Sequence, residues 1–102
     1  MNNQYELSGK VVTISEERKK EIGYGVFHQK DLVMAVENPV NPLKNHYVKI
    51  QFTNEAKDML SGLTEGDMIQ VTVTFMGFGW DKEKDGNIIY VNVVEGINVV
   101  VF

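Results

Sequence analysis

The chain has 102 residues, of which 43% are hydrophobic and none is cysteine. This length and apolar content suffice for one small core, so we predict a single domain over residues 1–102. Disulfide bonds and thiolate chemistry are excluded by the missing cysteine. The sequence shows neither an apolar run long enough to span a membrane nor a signal-peptide pattern, which predicts a cytoplasmic protein without a membrane partner.

The charge distribution argues against a protein that is coated uniformly with phosphate-binding side chains. The formal net charge is −4 and the isoelectric point is near 5.1. Residues 1–30 nevertheless carry a net charge of +1, whereas the other 72 residues carry −5. A role on nucleic acid would therefore need a local basic surface, and the basic side chains concentrate early in the chain.

The first half of the sequence predicts three strands. Residues 5–15 form the first, with Gly9 as a bulge or bend, and the charged residues 16–25 read as a mobile connection. Residues 26–37 form a second strand that is too apolar to be exposed, and the two prolines in residues 38–42 end it. Residues 46–53 form the third, with alternating polar and apolar side chains.

One short helix is predicted after the third strand. Asn54 is placed as its N-cap, Glu55 lies in its first turn, and Gly62 ends it. Its apolar positions recur near the helical period, at Ala56, Met59, Leu60 and Leu63.

The second half of the sequence is again strand-like. Residues 68–75 alternate polar and apolar, which directs Ile69, Val71, Val73 and Phe75 inward, and Phe52 and Phe75 are predicted core residues. Residues 76–80 continue this strand, residues 81–87 contain an Asp-Gly hairpin signal, and residues 88–94 return. Residues 96–102 are too apolar for a solvated tail, so we predict that a sixth strand or a subunit contact buries them.

The order of these segments carries a resemblance to a known family. The residues concerned are 30–37, 47–52, 65–67, the Gly79-Trp80 pair and 90–92. In this order they resemble single-domain OB-fold proteins of the bacterial and phage single-stranded DNA-binding type. The element order and the resemblance predict a mainly β fold, a five-stranded OB-fold Greek-key barrel with one short helix between strands 3 and 4, plus a C-terminal β extension.

The C-terminus departs from that family. Bacterial members typically end in a disordered acidic tail with an apolar tip, whereas this chain ends in Val99-Val100-Val101-Phe102 without a preceding acidic run. Recruitment of repair partners through such a tail is therefore not expected.

The candidate binding residues follow from how an OB barrel holds a single strand. Binding uses the face of strands 2 and 3, flanked by the first loop and the hairpin between strands 4 and 5, with aromatic rings for bases and cations for phosphates. The aromatic candidates are Tyr24, Phe27, Tyr47 and Trp80, and the cationic ones are Arg18, Lys19, Lys20, Lys30, Lys49 and Lys82. Each also has a plainer interpretation, as a packed ring or as part of a solvated charged loop.

Neither a cofactor nor a catalytic centre is predicted. His28 and His46 are isolated and lack a third ligand at metal spacing. No serine or carboxylate pair forms a catalytic pattern, and Gly77 and Gly79 lack the strand-to-helix context of a phosphate loop. We therefore expect a protein that is not an enzyme.

Two functions remain in view from the sequence. The first is binding of single-stranded DNA, or RNA, with little sequence preference during replication or recombination, by a homo-oligomer whose linked barrels raise the avidity. The alternative is a structural or protein-interaction module that forms homo-oligomers through the C-terminal strand and the aromatic hairpin and binds no nucleic acid. The acidic balance favours the alternative.

Overall fold

The computed structural model describes residues 3–23, 25–38, 40–41, 43–81, 86 and 88–102. Strands dominate it, with one 3₁₀ helix between the fourth and fifth of them. In chain order the elements are β1 (Gln4–Ile14), β2 (Arg18–Ile22), β3 (Gly25–Glu37), β4 (Asn45–Thr53), the 3₁₀ helix (Asn54–Leu60), β5 (Met68–Asp81) and β6 (Ile88–Val101).

Five of the strands close into a barrel. β1 pairs antiparallel with both β3 and β5, β3 pairs with β4, and β5 pairs with β6. A parallel contact between Gln51 of β4 and Glu95 of β6 joins the remaining edges. The circuit β1-β3-β4-β6-β5-β1 is that of a Greek-key OB barrel, which confirms the predicted fold class.

β1 pairs with two neighbouring strands, β3 and β5. Gly9 lies opposite Ile69 of β5 and Val36 of β3, and a Cβ atom at this position would overlap the carbonyl oxygen of Ala35. The pairing with β3 shifts register between Val11 and Thr13, which marks a bulge. The bulge thus lies beyond Gly9, the position predicted for a bulge or bend, and Gly9 instead permits the close approach of β1 to Ala35.

The barrel interior is a single apolar core. Phe52, the largest fully buried side chain, lies at its centre, and Leu60 of the helix packs against it. The core residues are Val11, Leu32, Met34, Ile50, Phe52, Leu60, Ile69, Val71 and Val73. The period-two prediction is therefore confirmed for Ile69, Val71 and Val73 and for the core position of Phe52.

The prediction that Phe75 is a core residue is wrong. Phe75 has the inward parity, but its side chain is 55% exposed. The pairing of β1 with β5 ends at Thr74, so β5 leaves the barrel there and runs on in the hairpin with β6. The Phe75 ring instead packs edge-on against Tyr5, with ring centroids 5.2 Å apart.

The connection predicted as a mobile loop contains a strand. β2 pairs antiparallel with the first half of β3, from Arg18 opposite Gln29 to Ile22 opposite Gly25. β1 and β2 thus lie one after the other along the same edge of β3. The Ser15 N–H bridges the turn between them by donating to the Asp31 carbonyl oxygen at 2.9 Å.

The helix is present, but its start differs from the prediction. It is a 3₁₀ helix whose N-cap is Thr53, without a side-chain capping hydrogen bond. Asn54 has a φ of 52°, and its Oδ1 accepts the backbone N–H of His28 at 3.3 Å. The side chain predicted to cap the helix therefore fastens it to β3, whereas Gly62, with a φ of 85°, follows the helix end as predicted.

The apolar C-terminus continues β6 and is only partly buried. Val99 packs against the core, whereas Val101 and Phe102 are 56% and 71% exposed. The predicted C-terminal extension is thus the second half of β6, paired with β5. The six observed strands therefore include β2, which the sequence did not predict. A single long β6 replaces the predicted fifth strand and C-terminal extension. Among the described residues, no helix has the length and apolar character needed to cross a membrane.

Candidate nucleic-acid interface

The register of the β2-β3 hairpin sorts its side chains onto two faces. Arg18 lies opposite Gln29, and Lys20 lies opposite Phe27, so these four side chains share one face. Lys19, opposite His28, belongs to the other face. The hairpin therefore brings together two of the predicted cations, Arg18 and Lys20, and one predicted aromatic ring, Phe27.

The same face continues across β4. Asp31 lies opposite Gln51, Val33 opposite Lys49, and Ala35 opposite Tyr47. The Tyr47 side chain is 68% exposed, as outward parity predicts, and Lys49 is likewise exposed. The surface that we call the outer face therefore carries five of the predicted site residues, namely Arg18, Lys20, Phe27, Tyr47 and Lys49.

A groove runs along this face, with a segment of β6 as one wall. Its volume is about 350 Å³. The lining residues are Arg18, Lys20, Gln29, Asp31, Lys49, Gln51, Asn92, Val93 and Val94. The groove lies between β2 and residues 92–94 of β6, on the sheet face with which the OB fold holds single strands in other proteins.

Asp31 is the organising residue of the groove. It is only 6% exposed, and its carboxylate pairs with the Arg18 guanidinium and lies 3.7 Å from the Lys49 ammonium. The Gln29 Nε2 donates to the same carboxylate at 3.0 Å, and the Asp31 backbone N–H donates to Ser15 Oγ. Two cations on this surface, Arg18 and Lys49, therefore face one nearly buried carboxylate.

Asp31 was missed by the sequence reasoning. The available signal was a charged residue at outward parity inside an otherwise apolar strand, where burial demands a partner. Such a pattern predicts a paired carboxylate but does not identify its partners, because Arg18 and Lys49 lie on other strands.

A second polar row crosses the floor of the groove from β4 to β6. Glu95 accepts the Thr53 hydroxyl at 2.8 Å through one oxygen and the Gln51 Nε2 at 3.4 Å through the other. Gln51 lies opposite Asp31 of β3 on one side and Glu95 of β6 on the other, and its amide donates to Glu95.

The opposite face of β3 meets the helix through a charged cluster. Glu17 contacts the His28 Nδ1 at 3.0 Å and the Lys57 Nζ at 3.1 Å, and Lys57 also reaches Asp58. The Lys57 hydrogen bond lowers the pKa of Glu17, whereas hydrogen bonds to Asp58 and then Glu17 raise the pKa of Lys57. This cluster ties the β1-β2 connection to the helix and lies away from the groove.

Two predicted cations do not reach the outer face. Lys30, opposite Phe52, has the parity of the buried Leu32 and Met34, and Lys19 lies 3.6 Å from Glu21. The register therefore separates these two lysines from Lys20 and Lys49.

The remaining predicted residues are less fully defined. Tyr24 and Lys82 lie outside the described residues. Trp80 belongs to β5, with its backbone opposite Ile89 in the hairpin. The part of the chain that the structure describes holds no group of three or more His, Asp or Glu side chains arranged around a metal position.

The strand circuit defines the chain as an OB-fold protein, and solved structures share this fold. The mitochondrial single-stranded DNA-binding protein Rim1 of S. cerevisiae superposes with a TM-score of 0.65 at 12% sequence identity, covering 99% of this chain and 96% of Rim1. The dimeric N-terminal domain of PriB from Thermoanaerobacter tencongensis gives a TM-score of 0.60 at 15% identity, covering 100% and 98%. No protein-family model and no curated protein matches the sequence.

Proposed function

We propose that this protein binds single-stranded DNA, without catalysis, in the groove on the outer face. One observation carries the proposal. In a chain of net charge −4, the register collects three cations and two aromatic rings on one face of an OB barrel, and the three cations line a groove on that face. Exposed cations need not be grouped for the core to be stable, so their grouping on one face is not explained by packing.

The mechanism follows from the side chains on that face. Bases stack on Phe27 and Tyr47, and each stacked base contributes about 1–3 kcal/mol. Phosphates meet Lys20, Lys49 and Arg18 at the rim. Three such contacts on a single strand give a dependence of log affinity on log salt with a slope of about −2.

The fold of Rim1 supports this proposal, because Rim1 is a single-stranded DNA-binding protein with the same barrel along nearly its whole length. We infer by this likeness that the ligand is DNA and that the protein protects or organises single strands during replication or recombination. Tyr24, Trp80 and Lys82 remain predicted contributors from the two elements that flank the groove.

The test is a pair of tyrosine variants. In Tyr47→Ala we expect the affinity for a fluorescent single-stranded oligonucleotide, measured by anisotropy, to fall at least fivefold because one stacking platform is lost. Tyr5→Ala, at the start of β1, removes a half-exposed ring outside the outer face and should leave the affinity unchanged at concentrations where this variant and wild type have the same mass by light scattering. Wild-type binding that survives Tyr47→Ala undiminished would overturn the placement of the site.

A second candidate function is self-association, favoured by a different observation. Tyr5 and Phe75 form an exposed aromatic pair beyond the end of the barrel, and Val101 and Phe102 expose more apolar surface at the C-terminus. Apolar surface of this kind marks protein contacts. We propose that a second copy of the chain covers it, with or without DNA binding.

Light scattering over a range of concentrations tests self-association. A mass above the 11.6 kDa of one chain that falls towards this value in Phe75→Ser would support it. Deleting residues 97–102 would be a poor test of self-association, because Val99 packs on the core and its loss would also destabilise the fold. A monomeric wild-type protein at all concentrations would exclude the proposal.

A further inference from the structure

Neighbouring carboxylates fix the orientation of the Gln51 side-chain amide. Its neighbours across the sheet are Asp31 on β3 and Glu95 on β6, and its Nε2 donates to Glu95 Oε2 at 3.4 Å. An ionised carboxylate accepts hydrogen bonds but cannot donate them. The Gln51 side chain must therefore turn its NH₂ group towards the carboxylates and its carbonyl oxygen away from them.

Gln29 is held in the same way. Its Nε2 donates to Asp31 Oδ1 at 3.0 Å, which leaves its carbonyl oxygen as the unengaged end. Among the described residues, no buried side-chain nitrogen or oxygen lacks a hydrogen-bond partner. The Gln29 carbonyl oxygen is therefore at least partly accessible, and both glutamines line the groove.

The rim and the floor of the groove differ in charge, which suits them to different parts of a nucleotide. The side chains of Arg18 and Lys49 are 50% and 69% exposed, whereas that of Asp31 is 8% exposed. Cations are thus available at the rim, while the carboxylate beneath them makes the floor unfavourable for a phosphate. A strand in this groove would place its backbone at the rim and the edge of a base against the floor.

From this arrangement we propose that the floor is a subsite for a base with an exocyclic amino group, cytosine or adenine, in preference to thymine. Fixed carbonyl oxygens accept a hydrogen bond from such an amino group, whereas thymine presents a carbonyl oxygen at the equivalent position. The inference rests on the proposed single-strand binding and adds a several-fold selectivity to it. Asn92, which also lines the groove, has no carboxylate partner among the described residues and imposes no choice of donor or acceptor.

The experiment compares oligodeoxycytidine with oligothymidine of equal length, by anisotropy, at slightly alkaline pH where cytosine is unprotonated. We expect oligodeoxycytidine to bind about three- to tenfold more tightly, the effect of one or two net hydrogen bonds. Gln51→Met keeps the length of the side chain but removes the acceptor, so the ratio of the two affinities should fall towards one. Oligothymidine should still bind this variant.

Gln70→Met is the matched control. Gln70 Nε2 donates to Glu6 Oε2 at 3.1 Å, so the same glutamine-carboxylate pair exists on β5 and β1, outside the groove. This variant should retain the preference for oligodeoxycytidine.

Glu95→Gln tests whether Glu95 positions the Gln51 amide. An uncharged partner permits either amide orientation, so the ratio of the two affinities should fall, whereas the loss of a negative charge acts on both oligonucleotides alike and cancels in that ratio. Equal binding of both oligonucleotides by the wild type, or a ratio unaffected by Gln51→Met, would overturn the inference and leave the proposed function standing. Failure of both oligonucleotides to bind would instead overturn the proposed function.

Discussion

Gly96 allows the barrel to close around Phe52. A Cβ atom at this position of β6 would overlap the Phe52 ring, which is fully buried. The close approach lies next to Glu95, whose pairing with Gln51 provides the parallel contact between β4 and β6. One hydrogen atom in place of a side chain therefore makes room for the largest core residue where the barrel closes.

We predict that Gly96→Ala destabilises the protein by about 1–3 kcal/mol or more, because a close-packed core resists additional volume. Chemical denaturation monitors this change. Gly25→Ala is the control, since a Cβ there meets nothing within 4 Å. Recovery of part of the stability in Gly96→Ala/Phe52→Leu would identify the ring as the cause, and wild-type stability in Gly96→Ala would contradict the closure described.

A second prediction at this scale concerns Asp31. Replacing it with asparagine removes the carboxylate that faces Arg18 and Lys49, so oligothymidine should bind several-fold more tightly at low salt. The free energy of unfolding should fall at the same time, because the nearly buried Asp31 loses its charged contacts with Arg18 and Lys49. Anisotropy and denaturation measure the two effects. Weaker binding by a folded variant would show that Asp31 is needed to position Arg18.

At the scale of elements, the Glu17 cluster supports the attachment of the helix to the sheet. Its partner Lys57 lies in the helix and His28 lies in β3. The pKa of Glu17 is lowered by Lys57 from an ordinary value of 4.5. Glu17 therefore contributes stability above pH 4.5, and this contribution is lost as the pH falls through its lowered pKa.

We accordingly predict that Glu17→Gln lowers the melting temperature slightly at neutral pH and that this difference disappears in acid. The effect is small because the pair is exposed. Glu16→Gln removes the same charge one residue earlier, at an exposed position, and should not reproduce the pH dependence. A difference between Glu17→Gln and wild type that persists unchanged well below pH 4.5 would contradict the ion pair.

β2 shows why an element can be missed. Its residues Arg18–Ile22 are almost entirely charged, and no apolar alternation distinguishes them from a loop. The strand forms because β3 extends beyond its pairing with β1 and offers an open edge. Backbone hydrogen bonding to that edge outweighs the weak strand preference of the sequence.

At the scale of the whole molecule, the fold was more predictable than the site. Period-two patterns identified β4 and β5, because one face of each contacts the core, whereas apolar, β-branched runs identified β1 and β3. The position of Phe75 could not be read this way, since parity does not reveal where β5 leaves the barrel. The separation of Lys20 from Lys19, and the contacts of Asp31, depend on pairing between strands that no single segment encodes.

The claim that the outer face binds single strands is tested most directly by the salt dependence of binding. A labelled single-stranded oligonucleotide of mixed sequence is titrated at several salt concentrations with wild type, with Lys20→Gln/Lys49→Gln, and with Lys19→Gln/Lys30→Gln. The second double variant removes Lys19 of β2 and Lys30 of β3, whose parity is opposite to that of the outer face.

We expect wild type and Lys19→Gln/Lys30→Gln to show a slope of log affinity against log salt of about −2. Lys20→Gln/Lys49→Gln should bind more weakly, with a slope of about −1, because one rim cation is left. Absence of wild-type binding at low salt, or equal slopes for the two double variants, would contradict the account.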